Sequence, residues 1–195
     1  MTTKRTAPGT MADAQLAETE VLVAAPKRFV REALVMPDGY ELDWYYVDTP
    51  ASVLTVPVTV DGDLVMVRQY RHNLKRYALE FPAGTVGDGE DLAAAALREL
   101  AEETGCTLPG GAQLHPLGAF YSLPSETNKY THMFVAEGVT ISGPATGDTE
   151  IEKYFDMSVV VIPLSKALAT IGTDIYGTET VTALMLACQA INPPT

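Results

Sequence analysis

Residues 84–106 read GTVGDGEDLAAAALRELAEETGC, and what they encode governs the reading of their neighbours. A loop of glycine and aspartate gives way at Leu92 to good helix formers, Ala93 to Ala96, Leu97 and Leu100, and Gly105 supplies a stop. A helix is therefore expected over Leu92–Glu103. On it Glu99, Glu102 and Glu103 stand in an i, i+3, i+4 relation, so their carboxylates project from one face within a single turn. Such crowding is destabilising unless something cationic offsets it, and Mg²⁺ or Mn²⁺, which prefer hard oxygen ligands, would do so. Arg98 lies four residues before Glu102 and is placed to hold that carboxylate. Glu90 falls about 180° around a straight helix from Glu99, which suits a capping or loop-anchoring role better than ligation. A solvated acidic face is the usual explanation for clustered glutamates alone. An apolar segment ending in Pro82-Ala83-Gly84 runs directly into this stretch.

Outward from this segment the pattern is strand-like on the N-terminal side. Phe29 to Met36 and Tyr40 to Val47 flank Pro37-Asp38-Gly39, a hairpin signal with a mechanism. Val53–Val60 and Leu64–Tyr70 repeat the theme around Asp61-Gly62-Asp63, and Tyr77–Phe81 leads into the glycine loop. Beyond the helix, strands are expected at His115–Tyr121, Tyr130–Glu137 and Tyr154–Ile162, and helices at Ser165–Ile171 and Thr178–Ile191. Strands early and helices interspersed later imply an α/β/α sandwich on a mixed sheet, preceded by an N-terminal antiparallel β subdomain. The expected division is a flexible tail over 1–18, the β subdomain over 19–50 and the main domain over 51–195.

A net charge of −12 argues against nucleic acid or an anionic membrane as partner. An anionic small molecule is still compatible, provided metal ions or a local basic cluster offset the overall field. Two cysteines far apart, Cys106 and Cys188, give no disulfide framework and no metal-ligand spacing, so a reducing cytoplasm is the expected setting. The N-terminal stretch carries no apolar core of a secretory signal, and no apolar run approaches the length of a membrane span. His72, His115 and His132 have no ligand-like spacing and are expected to be structural or surface residues.

Gly84, Glu90, Arg98-Glu99-Leu100, Glu102-Glu103 and Gly105 together follow the spacing G-x5-E-x7-R-E-U-x-E-E-x-G-U, with U a bulky aliphatic residue. The segment thus resembles the Nudix box, with Cys106 in the last U position. Arg68-Gln69-Tyr70-Arg71, Leu79-Glu80-Phe81-Pro82-Ala83-Gly84, Tyr121 to Glu126 and Asp148 to Glu152 resemble the ADP-ribose pyrophosphatase branch of that family, over most of residues 25–190.

The resemblance implies a Nudix-type fold and metal-dependent hydrolysis of a pyrophosphate bond. ADP-ribose or a related nucleoside diphosphate sugar would be cut to a nucleoside monophosphate and a sugar phosphate. It implies Glu99 and Glu103 as main ligands of Mg²⁺ or Mn²⁺, Glu102 sharing a bridging ion, and the Ala83 carbonyl as a further ligand. Glu150 or Glu152 is implied as general base, joining Glu102 and Glu103 among the catalytic acids. Arg68 and Arg71 would clamp the diphosphate, since guanidinium groups match phosphate oxygens bidentately. Glu80, Pro124 and Glu126 would belong to the substrate site, and Gly84, Glu90, Arg98 and Gly105 to the frame of the box. Phe29 and Trp44 are implied as adenine-stacking aromatics on a hairpin exchanged within a homodimer. Two other expectations stand beside this one: a Nudix hydrolase acting on another nucleotide, and a nucleotide-sensing domain that does not cut. The presence of Glu99, Glu102 and Glu103 weighs against the last.

Overall fold

Side chains along a strand alternate between faces, and the run Ser52–Thr59 (β4) uses that alternation to build two cores at once. Leu54, Val56 and Val58 join Leu64, Met66, Met133, Val135, Ala183, Leu184 and Ala187 in one buried cluster. Val53 turns the other way, onto Ala95, Ala96 and Phe134. The computed structural model describes residues 10–25, 27–110, 113–146 and 154–191. It divides the chain into two units, Pro50–Ser122 with Tyr130–Thr195, and Met1–Thr49 with Leu123–Lys129.

In the larger unit the described strands are β4, β5 (Asp63–Arg71), β6 (Arg76–Glu80), β7 (Ala83–Thr85), β8 (Cys106–Thr107), β9 (Gln113–Tyr121), β10 (Tyr130–Ile141) and β11 (Ser158–Pro163). Their backbone order is β11-β5-β4-β10-β8, with β6 on β5, β7 on β4 and β9 on β10. β4 and β10 run parallel and the other pairings are antiparallel, which makes the sheet mixed. Helix α1 (Leu92–Thr104) lies on one face, and α3 (Thr178–Ile191) on the other. The short α2 (Leu164–Ala169) contributes Ala167 to the α3-side core. This is the sandwich expected from the sequence. Ala95 and Ala96 are fully buried and let α1 approach β4 closely, while Leu100 seals it against Val65 and Ala136. Truncating Leu100 to alanine would cost about 2–5 kcal/mol.

The smaller unit holds a three-stranded antiparallel sheet, β1 (Gln15–Val23), β2 (Arg28–Val35) and β3 (Glu41–Asp48), in that order. The Pro37-Asp38-Gly39 turn forms as expected. Gly39 takes φ of 84°, and the Asp38 carboxylate accepts from the Tyr40 N–H at 3.1 Å. Within the same unit Val47 N–H donates to the Glu126 carbonyl at 2.9 Å, and Thr49 N–H to the Asn128 side chain at 2.8 Å.

Two expectations need correction. The stretch read as a loose tail to residue 18 contains the first half of β1, preceded by a 3₁₀ turn at Met11–Asp13. Every residue of β1 is exposed, so no buried alternation announces it; pairing with β2 and the ion pairs of Arg31 with Glu18 and Glu20 define it instead. The strand expected from Tyr154 begins only at Ser158. Phe155 gives its carbonyl to Tyr70 N–H, and Asp156 adopts a left-handed φ of 49°, which breaks the extended run.

Candidate active site

Helix α1 is fixed at both ends by local chemistry. The Asp91 carboxylate caps it, accepting from Ala93 and Ala94 N–H at 3.0 Å each. Gly105 closes it in the left-handed conformation, φ 66°, where a Cβ would lie 2.1 Å from the Gly143 carbonyl oxygen. Between these caps Glu99, Glu102 and Glu103 share the turn that faces β7.

β7 positions two of the three. Ala83 N–H donates to Glu103 Oε2 at 3.0 Å. Glu99 lies so close to Gly84 that a Cβ there would sit 2.1 Å from its Cδ. Glycine at residue 84 is therefore needed for the space it leaves to a carboxylate, its backbone not being left-handed.

Arg98 ties the acids to the loop before the helix. Its Nε and Nη2 hold Glu90 at 2.8 and 2.9 Å, Nη2 also donates to the Thr85 carbonyl at 3.0 Å, and Nη1 reaches Glu99 at 2.7 Å and Glu102 at 3.1 Å. Glu90 further accepts from Gly87 N–H at 2.8 Å. The Arg98 hydrogen bonds, and then that N–H, hold the Glu90 carboxyl down at about 2. The same contacts, led by Glu90, raise the Arg98 guanidinium above its usual value.

The second arginine near the acids is Arg71. It grips Glu80 bidentately with its Nε–Nη2 edge, Nε at 2.9 Å, and Gln69 supports the same carboxylate at 3.1 Å. Its pKa is raised, first by the bond to Glu80, with the negative charges of Glu103 and Glu179 adding to it. Arg68 does not join it. Three residues apart on one strand, Arg68 and Arg71 face opposite sides of β5, and the Arg68 guanidinium lies 3.6 Å from the centre of the Tyr77 ring. The two guanidinium groups expected to clamp the diphosphate together therefore lie on opposite faces of β5, with Arg71 on the side of the α1 acids.

Glu150 and Glu152 lie outside the described residues. The residues flanking their segment are anchored, Thr146 N–H to the Glu102 carbonyl and Tyr70 N–H to the Phe155 carbonyl, each at 2.8 Å. Phe29, Trp44, Pro124 and Glu126 belong to the smaller unit. Phe29 pairs with Val47 and Trp44 with Glu32, so the two aromatics occupy opposite faces of that sheet, each about two-fifths exposed.

Sequence reasoning missed Gln69 and Glu179. Gln69 carries a signal, since residues two apart on a strand share a face with Arg71. Glu179 carries none: it meets Ser122 at 2.6 Å, and also Thr131, only through folding.

The oxygen-only donor set suits a hard divalent cation, and Gly84 leaves the space that the Glu99 carboxylate occupies. Among the described residues no His, Cys, Asp or Glu side chains already converge as a ready group of three, and the cation that Glu99 and Glu102 share is the Arg98 guanidinium.

A family model described as the NUDIX domain matches residues 48–173. The chain is 31% identical over 154 residues to an ADP-ribose pyrophosphatase of Bacillus subtilis (strain 168), covering 78% of this chain and 80% of that one. It is 36% identical to an ADP-sugar pyrophosphatase of Mus musculus, covering 84% and 79%. It is 33% identical to a methanol dehydrogenase activator of Bacillus methanolicus, covering 76% and 78%. A solved structure titled as an ADP compounds hydrolase superposes with a TM-score of 0.77 over 92% of this chain and 94% of that one; at 22% identity it speaks to the fold.

Proposed function

The chain belongs to the Nudix family, and from that premise we propose that it hydrolyses the pyrophosphate bond of ADP-ribose or a related nucleoside diphosphate sugar. The products would be a nucleoside monophosphate and a sugar phosphate. The observation that carries this reading is the set Glu99, Glu102 and Glu103 on one turn of α1, backed by Ala83 and Gly84 of β7.

Glu99 and Glu103 would hold Mg²⁺ or Mn²⁺, with Glu102 and the Ala83 carbonyl as further ligands. Such an ion polarises phosphoryl oxygens and acidifies water. Arg71, oriented by Glu80, keeps three N–H donors beyond the two that Glu80 takes, and these would meet the diphosphate. Glu150 or Glu152 would take the proton of the attacking water; the anchoring of Thr146 on the helix that bears Glu102 and Glu103 supports a base from that segment.

A homodimer is proposed on the smaller unit. β1 is exposed along its whole length, and Leu16, Val21, Leu22, Val23, Tyr45 and Trp44 are exposed with it. A sheet so bare favours burial against a second copy, and in an exchanged arrangement Trp44 or Phe29 would stack the base. Cytoplasmic location rests on the two free cysteines. Among the described residues no helix is long and apolar enough to cross a membrane.

The deciding experiment incubates the protein with Mg²⁺ and a panel of nucleoside diphosphate sugars and identifies both products of each. Release of a nucleoside monophosphate with a sugar phosphate is expected. Inertness toward the whole panel, or release of inorganic pyrophosphate, would overturn the substrate class.

A further inference from the structure

Arg98 commits all five of its N–H donors, and they divide into two edges with different partners. The Nε–Nη2 edge grips Glu90 bidentately and the Thr85 carbonyl, and Glu90 is itself secured by Gly87 N–H. That edge belongs to the scaffold. The Nη1 edge faces the other way, between Glu99 and Glu102, two of the carboxylates assigned to the divalent cation.

Neither Glu99 nor Glu103 relies on Arg98 alone for its place. Glu99 is packed against Gly84 with its side chain only 14% exposed, and Glu103 is held by the Ala83 backbone. What Arg98 brings to this turn is a positive charge bonded to two of its acids, and its grip on Glu90 keeps that charge in place.

We propose that Arg98 is a resident competitor for the divalent cation: its Nη1 edge, bonded to Glu99 and Glu102, opposes the metal ion for the same carboxylates, while the Nε–Nη2 edge stays on Glu90. The inference rests on the metal-site reading above. Its consequence is a threshold. The metal-free helix is spared the repulsion of its own acids, and metal binds less tightly than the acids alone would allow, because a fixed like charge stands beside the site.

The test measures Mn²⁺ binding by titration calorimetry, and melting temperature with and without Mn²⁺, in wild type, Arg98→Gln, Arg98→Lys and Glu99→Gln. Arg98→Gln is expected to melt lower without metal and to bind Mn²⁺ more tightly, by roughly threefold or more, so the rise in Tm on adding Mn²⁺ exceeds that of wild type. Arg98→Met, which keeps an apolar stem without the charge, carries the same expectation should the glutamine variant fold poorly. Arg98→Lys, which retains the charge without the fork, is expected to bind Mn²⁺ like wild type. Mn²⁺ affinity unchanged or weakened in the neutral variants would overturn the proposal and leave Arg98 a positioning residue; so would equal tightening in Arg98→Lys. Binding that survives Glu99→Gln would instead overturn the metal site itself, so the two failures are distinguishable.

Discussion

Replacing Gly84 by alanine should separate the metal site from the stability of the fold. The added methyl would lie 2.1 Å from the Cδ and Oε1 atoms of Glu99 and 2.2 Å from Oε2. Ordinary contacts between such atoms begin near ~3.5 Å, so the carboxyl group must retreat by about 1.4 Å. Retreat is cheap, because the clashing atoms end a flexible side chain and a rotamer change costs about 0.5–1.5 kcal/mol. The backbone accepts alanine, since Gly84 is not among the left-handed glycines, and a glycine-to-alanine change at such a position gains back about 0.4–1 kcal/mol. Stability should therefore move by no more than about 1 kcal/mol in either direction. Metal ligation tolerates only about 0.2 Å of error, so a shift several times larger removes Glu99 from the site. A displacement of this order is worth about 100-fold or more in turnover. The assay pairs a metal-free melting curve with the Mn²⁺-induced shift in Tm and steady-state turnover of ADP-ribose. Turnover within about tenfold of wild type, with the full Mn²⁺ shift retained, would refute the placement of Glu99 against Gly84 as a ligand position.

Glu103→Gln and Glu99→Gln should each lower kcat by several orders of magnitude with Tm nearly unchanged, because they remove charge from the site and no volume from the core; circular dichroism melts beside kinetics check both halves. Glu90 has its carboxyl pKa lowered from 4.5 to about 2, so its link to Arg98 contributes fully above about pH 4.5 and is lost as pH falls toward 2. Glu90→Gln should accordingly melt below wild type at neutral pH, with the gap closing across that acid range. Arg71→Ala should raise KM more than it lowers kcat, and should lower Tm because it leaves the Glu80 carboxylate, 17% exposed, with Gln69 but without its charged partner. Light scattering at micromolar concentration should find a dimer, and a fully active monomer would remove the exchanged hairpin together with the base-stacking role of Trp44.

What could be read in the sequence was whatever repeats within a few residues. The α1 acids are legible because helical spacing converts i, i+3, i+4 into one face, and the Pro37-Asp38-Gly39 hairpin because its turn chemistry is local. The runs Val53–Val60 and Leu64–Tyr70 read as strands from their apolar residues alone, and the structure buries β4 and most of β5 on both faces. β1 escaped because nothing in it is buried, and its only definition is pairing with a strand further along the chain. The faces of Arg68 and Arg71 were legible in principle, since an odd separation on a strand always divides two side chains. The pull of Glu80 and Gln69 on Arg71 follows from the same rule once β5 and β6 are known to pair. Glu179 was beyond reach, because its meeting with Ser122 and Thr131 depends on where α3 lands on the far face of the sheet.

The two arginines beside the α1 acids are held alike in a chain of net charge −12. Each is gripped bidentately by one glutamate, Arg71 by Glu80 and Arg98 by Glu90. A single carboxylate cancels the charge formally, but it also fixes the plane of the guanidinium and leaves the opposite edge aimed. For Arg98 that edge is directed at Glu99 and Glu102. For Arg71, whose pKa is raised first by the bond to Glu80, the negative charges of Glu103 and Glu179 add to that rise. Attraction for a diphosphate would then come from the free edge of Arg71 and a divalent ion at short range, where they outweigh a diffuse negative surface that salt screens within about 8–10 Å. The acidity of the whole chain and the anionic nature of the proposed substrate are therefore compatible, because they act over different distances.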